Sequence, residues 1–284
     1  MLTLPHRRSS LWWGRGVPTV PVTVDWNHPL SAGLIGCYVP GCPAQYNDLT
    51  GIGPTLAPAP GGFIDRAATQ EGYGYSCNAT NSSLSSSAFP LPWRLTRGTL
   101  FWSGSTNGFT INSTNLLLWG NIQAASGSPP NCCYGIGISL VSGGISFLYS
   151  TGDTAQILDP DTQFFDLQLT IAITFVVGGA INIYVWDRTG LTASSGTWTG
   201  AAPDYTLGPQ PSIGVDPVMD TTDYSATITT AAYLYNYPMT LPQITQLYRA
   251  PFSPLVPTAR TSRALLVSYP GGPFRRWNRT YLIR

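Results

Sequence analysis

An all-β fold, a two-sheet antiparallel jelly-roll sandwich, is predicted by three features of this 284-residue sequence. Apolar runs are short and end in turn residues. Gly and Pro number 30 and 25, with abundant Ser and Thr. Only one segment carries helix signals at both ends. Gly and Pro at that frequency break helices yet suit short strands joined by many turns. A chain of this length can bury a substantial core.

The elements follow in order. "LIGCYV" (34–39) is an early strand, followed by the turn-rich "PGCPAQYNDLTGIGPTLAPAPGG". "GTLFWSG" (98–104), "NLLLWGNI" (115–122), "YGIGISLV" (134–141) and "GISFLYS" (144–150) are apolar or alternating runs bounded by Gly, Ser and Asn. "LQLTIAITFVV" (167–177) and "INIYVW" (181–186) flank Gly178-Gly179, a pair that tolerates the positive φ of a tight hairpin. "YSATITTAAYLYNYP" (224–238) is the last long strand. A helix then starts at Thr240, whose T-x-x-Q spacing to Gln243 forms a capping box, and stops at Pro251 and Pro254. Ile244, Leu247 and Tyr248 share one face of it. So short a helix is marginal alone and must be pinned against the body.

Charge is sparse and unevenly placed. All basic residues are Arg. Residues 1–24 carry Arg7, Arg8 and Arg15 without an acid, for +3. Residues 251–284 carry Arg260, Arg263, Arg275, Arg276, Arg279 and Arg284 without an acid, for +6. The segment between holds five Arg against thirteen acids, for −8. Such asymmetry steers association with something negative. Gly14, Arg15 and Pro18 interrupt any apolar stretch near the start, so no signal peptide is expected. No apolar run reaches the ~20 residues that span a bilayer. A soluble, unexported protein without a membrane partner is the expectation.

Catalysis and metals are poorly provided for. Cys37, Cys42, Cys77, Cys132 and Cys133 have no zinc-site spacing and are expected reduced and mostly buried. Glu71, the single Glu, lies in "ATQEGYGYSC" and reads as a solvated strand edge or loop. Asp153, Asp159, Asp161 and Asp166 suit Asx turns better than a cation site. His28 precedes Pro29 and fits a hydrogen-bonded packing role. No Ser/His/Asp or Cys/His set assembles economically. Neither an enzyme nor a cofactor nor a metal is expected.

The end of the chain resembles a family. Tyr233-Leu234-Tyr235-Asn236, then Leu241, Ile244 and Leu247-Tyr248, then "APFSPLVP", resemble the close of the concanavalin A-like, laminin-G-type jelly roll. "HPLSAGLIGCYVPG…NDLTG…PTL" (28–56) resembles its opening in virion proteins of tailed bacteriophages. "FFDLQLTIAITFVVGGAINIYVWD" and "SIGV" (212–215) fall where that family has paired strands and a short late strand. The resemblance covers roughly residues 28–256. Trp186-Asp187-Arg188 departs from it, standing where an Asp-Gly turn is usual, and a Trp-His pair is missing. Some relatives bind calcium, but no Asp/Asn cluster here matches such a site. The E-x-D-x-E strand of glucanases on this fold is absent as well.

The resemblance implies a concanavalin A-like sandwich at 28–256, between a basic aromatic arm at 1–27 and an Arg-rich arm at 257–284. The function expected is that of a non-enzymatic structural protein of a tailed-phage virion, assembled in the bacterial host cytoplasm. It would decorate the capsid or belong to the neck or tail, as a homo-oligomer in the assembly. Arg7, Arg8, Trp12, Trp13 and Arg15, with Arg260, Arg263, Phe274, Arg275, Arg276, Trp277 and Arg279, combine the side chains enriched at interface hot spots. They are the candidate contacts to a major capsid, neck or tail protein, although both arms could instead fold back on the acidic body. The alternative is a carbohydrate-binding adhesin. Trp102 and Trp119 sit in apolar runs and are expected in the core, whereas Trp186 and Trp198 flank a Ser/Thr/Gly loop and are the candidates for stacking on a surface glycan. Nucleic acid is disfavoured, since nine Arg are spread thinly and the body is acidic.

Overall fold

The computed structural model describes residues 16–258, apart from 41, 43–46, 59–64, 78–83, 107–114, 124–131, 140–143, 151–167, 200–201, 204, 206–208 and 216–226. In chain order its strands begin with β1 (Val22–Val24), β2 (Leu34–Tyr38), β3 (Ala57–Pro58), β4 (Asp65–Thr69), β5 (Gly72–Cys77) and β6 (Leu84–Ser85). There follow β7 (Arg97–Ser105), β8 (Asn115–Gln123), β9 (Cys132–Ser139), β10 (Ile145–Ser150) and β11 (Gln168–Val176). The set ends with β12 (Ala180–Trp186), β13 (Leu191–Thr197), β14 (Pro209–Val215), β15 (Thr227–Tyr235), helix α1 (Leu241–Arg249) and β16 (Leu255–Pro257).

The strands form an all-β, two-sheet antiparallel sandwich. The larger sheet runs β13-β12-β11-β7-β15-β5-β4, with β2 also paired to β15. The smaller runs β10-β9-β8-β14-β6-β3. The expected hairpin joins β11 to β12 through Gly178 at φ 68°. Gly179 N–H closes the turn on the Val176 carbonyl at 2.9 Å.

Between the sheets lies an aromatic core. Trp93, Trp102 and Trp119 are fully buried, as expected for the last two, and each finds an acceptor for its indole N–H. Trp93 donates to the Ile35 carbonyl (2.8 Å), Trp102 to Thr229 Oγ1 (2.9 Å) and Trp119 to the Tyr233 carbonyl (3.0 Å). Burying so large a ring is favourable only when that polar atom is satisfied. Trp93 packs edge-on against Tyr38, Phe89 and Trp119.

The "NDLTG" segment acquires a physical role beside this core. The buried Asp48 carboxylate accepts from Cys37 N–H at 2.7 Å, Thr50 N–H at 3.2 Å, Ile52 N–H at 3.0 Å and Gly53 N–H at 2.5 Å. The Thr50 hydroxyl donates to it as well. One side chain thus folds the loop and ties it to β2.

A second apolar layer covers part of the outer face of the larger sheet. Phe101, Ala172, Trp186, Tyr233 and Tyr235 project outward and meet Val22, Val24, Leu30, Met239, Ile244, Leu247, Phe252 and Leu255. Alternation along β7 and β15 forces this arrangement, because Leu100, Trp102 and Leu234 face inward. The helix is where the sequence expects it, with Gln243 Oε1 accepting from Thr240 N–H at 2.9 Å. Its buried face is Ile244 and Leu247, with Tyr248 partly covered.

Packing extends to residues before the N-terminal boundary expected at residue 28. Val17, Val22 and Val24 are buried, and β1 pairs with β16 through Val22–Pro257 and Val24–Leu255. Val17, Val22 and Val24 therefore pack with the body. Three-residue strands are too short to show a period in sequence.

Candidate functional site

The hairpin β4–β5 folds its turn over the outer face of the larger sheet. The turn is locked locally: Glu71 N–H donates to Thr69 Oγ1 at 3.1 Å, and Thr69 Oγ1 donates to the Gly72 carbonyl at 2.9 Å. Gly72 has φ 127°, and a Cβ there would lie 3.1 Å from Val17 Cβ. The positive φ therefore favours glycine, and the space beside Val17 is tight. Val17 N–H in turn donates to the Glu71 carbonyl at 2.6 Å.

Glu71 is thereby carried inward rather than left in solvent, which corrects the expectation of a solvated residue. It is only 7% exposed. Its Oε2 accepts from Ser103 Oγ at 3.0 Å and from Thr230 Oγ1 at 3.3 Å. Ser103 also lies 3.2 Å from Thr170 Oγ1, so hydroxyls of β7, β11 and β15 line up beneath the carboxylate. A buried carboxylate needs such donors.

Beside this network is a cavity of about 380 Å³, bordered by Gln70, Glu71, Gln168, Trp186, Asp187, Arg188 and Tyr248. Trp186 and Tyr248 stack at 4.9 Å with planes 14° apart. Asp187 anchors the β12–β13 turn: Oδ1 accepts from Thr189 N–H (2.7 Å), Thr189 Oγ1 (2.6 Å) and Gly190 N–H (3.0 Å). Partial burial would raise its pKa, but those hydrogen bonds outweigh burial and hold it below the ordinary carboxylate value. Arg188 is exposed beside it. Gln168, at the start of β11, is only partly covered, yet both its amide atoms are shielded and make no hydrogen bond.

The two tryptophans expected to be exposed are not. Trp186 is 5% and Trp198 2% exposed. The Ser/Thr/Gly stretch between them is strand β13 rather than a loop, paired along its length with β12. That pairing sends the rings to opposite sides of the sheet. Trp198 enters the inner core against Phe147, Tyr149 and Phe175. Trp186 joins the outer layer beneath Tyr248, where only its margin reaches the cavity. Trp198 offers no stacking surface.

Arg7, Arg8, Trp12, Trp13 and Arg15, and likewise Arg260, Arg263, Phe274, Arg275, Arg276, Trp277 and Arg279, lie outside the described residues, as do Asp153, Asp159, Asp161 and Asp166. Cys37 and Cys42 are buried and unbridged; burial raises both thiol pKa values, that of Cys42 to about 11. His28 packs as expected, its Nδ1 accepting from Leu30 N–H at 3.2 Å. Among the described residues no three His, Cys, Asp or Glu side chains converge on one point, and no helix is long and apolar enough to cross a membrane.

No protein-family model and no curated protein matches the chain. Solved structures do. The botulinum neurotoxin serotype D binding domain is similar at TM-score 0.56 and 12% identity, over 78% of this chain and 52% of that one. A botulinum neurotoxin type C structure, reported with cell entry dependent on two ganglioside molecules, matches at TM-score 0.55 and 10% identity, over 77% and 51%. A Trypanosoma rangeli sialidase in complex with 2,3-difluorosialic acid matches at TM-score 0.52 and 15% identity, over 78% and 33%. The chain thus spans about a third of the sialidase and half of the toxin chains. At such identities the likeness shows a shared β-sandwich fold and nothing more.

Proposed function

We propose that this chain is a non-enzymatic structural module of a tailed-bacteriophage particle, a concanavalin A-like sandwich held to other virion proteins by its basic, aromatic ends. The observation that carries this reading is the β1–β16 pairing. Thr258 N–H donates to the Pro21 carbonyl at 3.0 Å, and Gly16, the first described residue, is five residues from Pro21. Five extended residues reach at most about 17 Å. The two acid-free segments are therefore rooted close together on an acidic body, where they can act as one cationic grip. The module would work in several copies beside a capsid, neck or tail protein in the virion.

Arm deletion tests this. Particles are purified from hosts producing the full chain or chains lacking residues 1–15 or 259–284, and the chain is quantified by mass spectrometry. Full-length chain is expected in the particles, both deletions are expected to be depleted, and raised salt is expected to weaken retention. Equal incorporation of the deletions overturns the reading.

A second reading, glycan binding at the particle surface, is favoured by one observation: the cavity at Glu71 combines amide, carboxylate, guanidinium and aromatic groups on one open face.

A further inference from the structure

We infer that the cavity beside Glu71 binds one neutral, hexose-sized polyol, such as the terminal sugar of a glycan, and rejects sialic acid and other anionic sugars. The inference rests on the glycan-binding reading and supplies its site and its selectivity.

Size comes first. The cavity's 380 Å³ falls within the roughly 300–1,000 Å³ of small-molecule sites. Chemistry comes second. A vicinal diol donates and accepts at neighbouring atoms, and a Gln amide offers one acceptor beside two donors. Gln168 has neither amide atom engaged, an unfavourable arrangement for shielded polar atoms. Gln168 borders the cavity, so a change of side-chain rotamer would bring its amide to a ligand and supply the missing partners. Arg188 can donate and Glu71 can accept, while Tyr248 provides an apolar wall for the C–H face of a ring. A purely apolar ligand would leave these groups unmatched.

Charge sets the selectivity. Among the described residues, the lining holds Glu71 and Asp187 against Arg188, one negative charge net. Asp187 keeps its charge because its hydrogen bonds hold its pKa down. A sugar carboxylate entering here meets like charge in a partly desolvated site. The preference is thus opposite to that of the sialic-acid-bound sialidase whose fold is similar.

The test uses the full chain on an array of neutral hexose-terminated and sialylated glycans, with Gln168→Ala and Arg188→Ala compared by titration. Neutral glycans are expected to bind and sialylated ones to stay at background. Gln168→Ala is expected to lower affinity about tenfold and Arg188→Ala several-fold. Because Arg188 is exposed, its variant keeps the test open if Gln168→Ala does not fold. Binding of sialylated glycans overturns the selectivity. Neutral binding that survives in both variants overturns the site while the glycan reading stands. Absence of any glycan signal overturns both.

Discussion

The two faces of the larger sheet are built from the same strands and solve different problems. On the inner face, Leu100, Trp102, Ile171, Ile173 and Leu234 meet a second sheet, and the contact is aromatic and closed. On the outer face, Phe101, Ala172 and Tyr233 meet a layer made of β1, β16 and one helix, while Ser103 and Thr230 lie beneath the Glu71 carboxylate of a hairpin turn that borders a cavity. Alternation along a strand assigns residues to faces, but only what is laid over a face decides whether it becomes core or site. The inner face closes the main core, and the outer face carries both the β1–β16 pair and the polar pocket.

The comparison breaks most visibly at Trp93. Its ring is fully buried, donates to Ile35 and supports Tyr38 and Trp119, and its carbonyl accepts from Tyr134 Oη at 2.7 Å. Trp93→Ala is expected to cost about 4 kcal/mol by cavity formation and a lost hydrogen bond, read as a lowered urea midpoint with an unchanged slope. A smaller, more local loss is expected on the outer side. Leu247→Ala, under the helix, should cost about 2–3 kcal/mol and accelerate amide exchange in β1, α1 and β16 before β7 and β15. Uniform acceleration across both faces would show that the outer layer is not a separable unit.

That contrast also explains what could be read before folding. Strands with apolar alternation, the Gly178 hairpin and the capped helix are local patterns, and each is found within a few residues of its expected place. The site was hidden because it depends on distant partners. Glu71 sits in a polar hairpin and is buried only because Val17, Ser103 and Thr230 come to it. Trp186 and Trp198 looked alike beside a Ser/Thr/Gly stretch. Edge strand β13 has no apolar period to announce it, and its pairing to β12 separates the two rings. The burial of Trp186 then depends on Tyr248, from the helix. The charge clusters at the ends were legible in full, and the β1–β16 pairing was not.

Glu71→Gln sharpens the comparison at the boundary between cover and pocket. The variant keeps the acceptor oxygen and the shape while removing the charge. A hydrogen bond to a charged group is worth more than a neutral one, so a loss of about 1 kcal/mol is expected. Glu71→Ala should lose more, because Ser103 and Thr230 would be left facing a void. A stabilised Glu71→Gln would mean that burying the carboxylate costs more than its hydrogen bonds return, and the charge would then be retained for binding alone.

The smallest expected effect lies at His28, where the outer layer turns into β2. Burial lowers its pKa below the ordinary 6.5, and the nearby Asp25 opposes that only in part. The neutral ring is the one the fold uses, since Nδ1 accepts from Leu30 N–H. As pH falls through about 6.5, the unfolded chain takes up the proton first, so this contribution is present at higher pH and is lost as pH falls. Asparagine can make the same acceptor contact without titrating. The difference in unfolding midpoint between pH 7.5 and 5.5 should therefore be smaller in His28→Asn than in the parent chain. An identical pH slope in the two would remove His28 as a source of acid sensitivity and leave the carboxylates of the outer face to account for it.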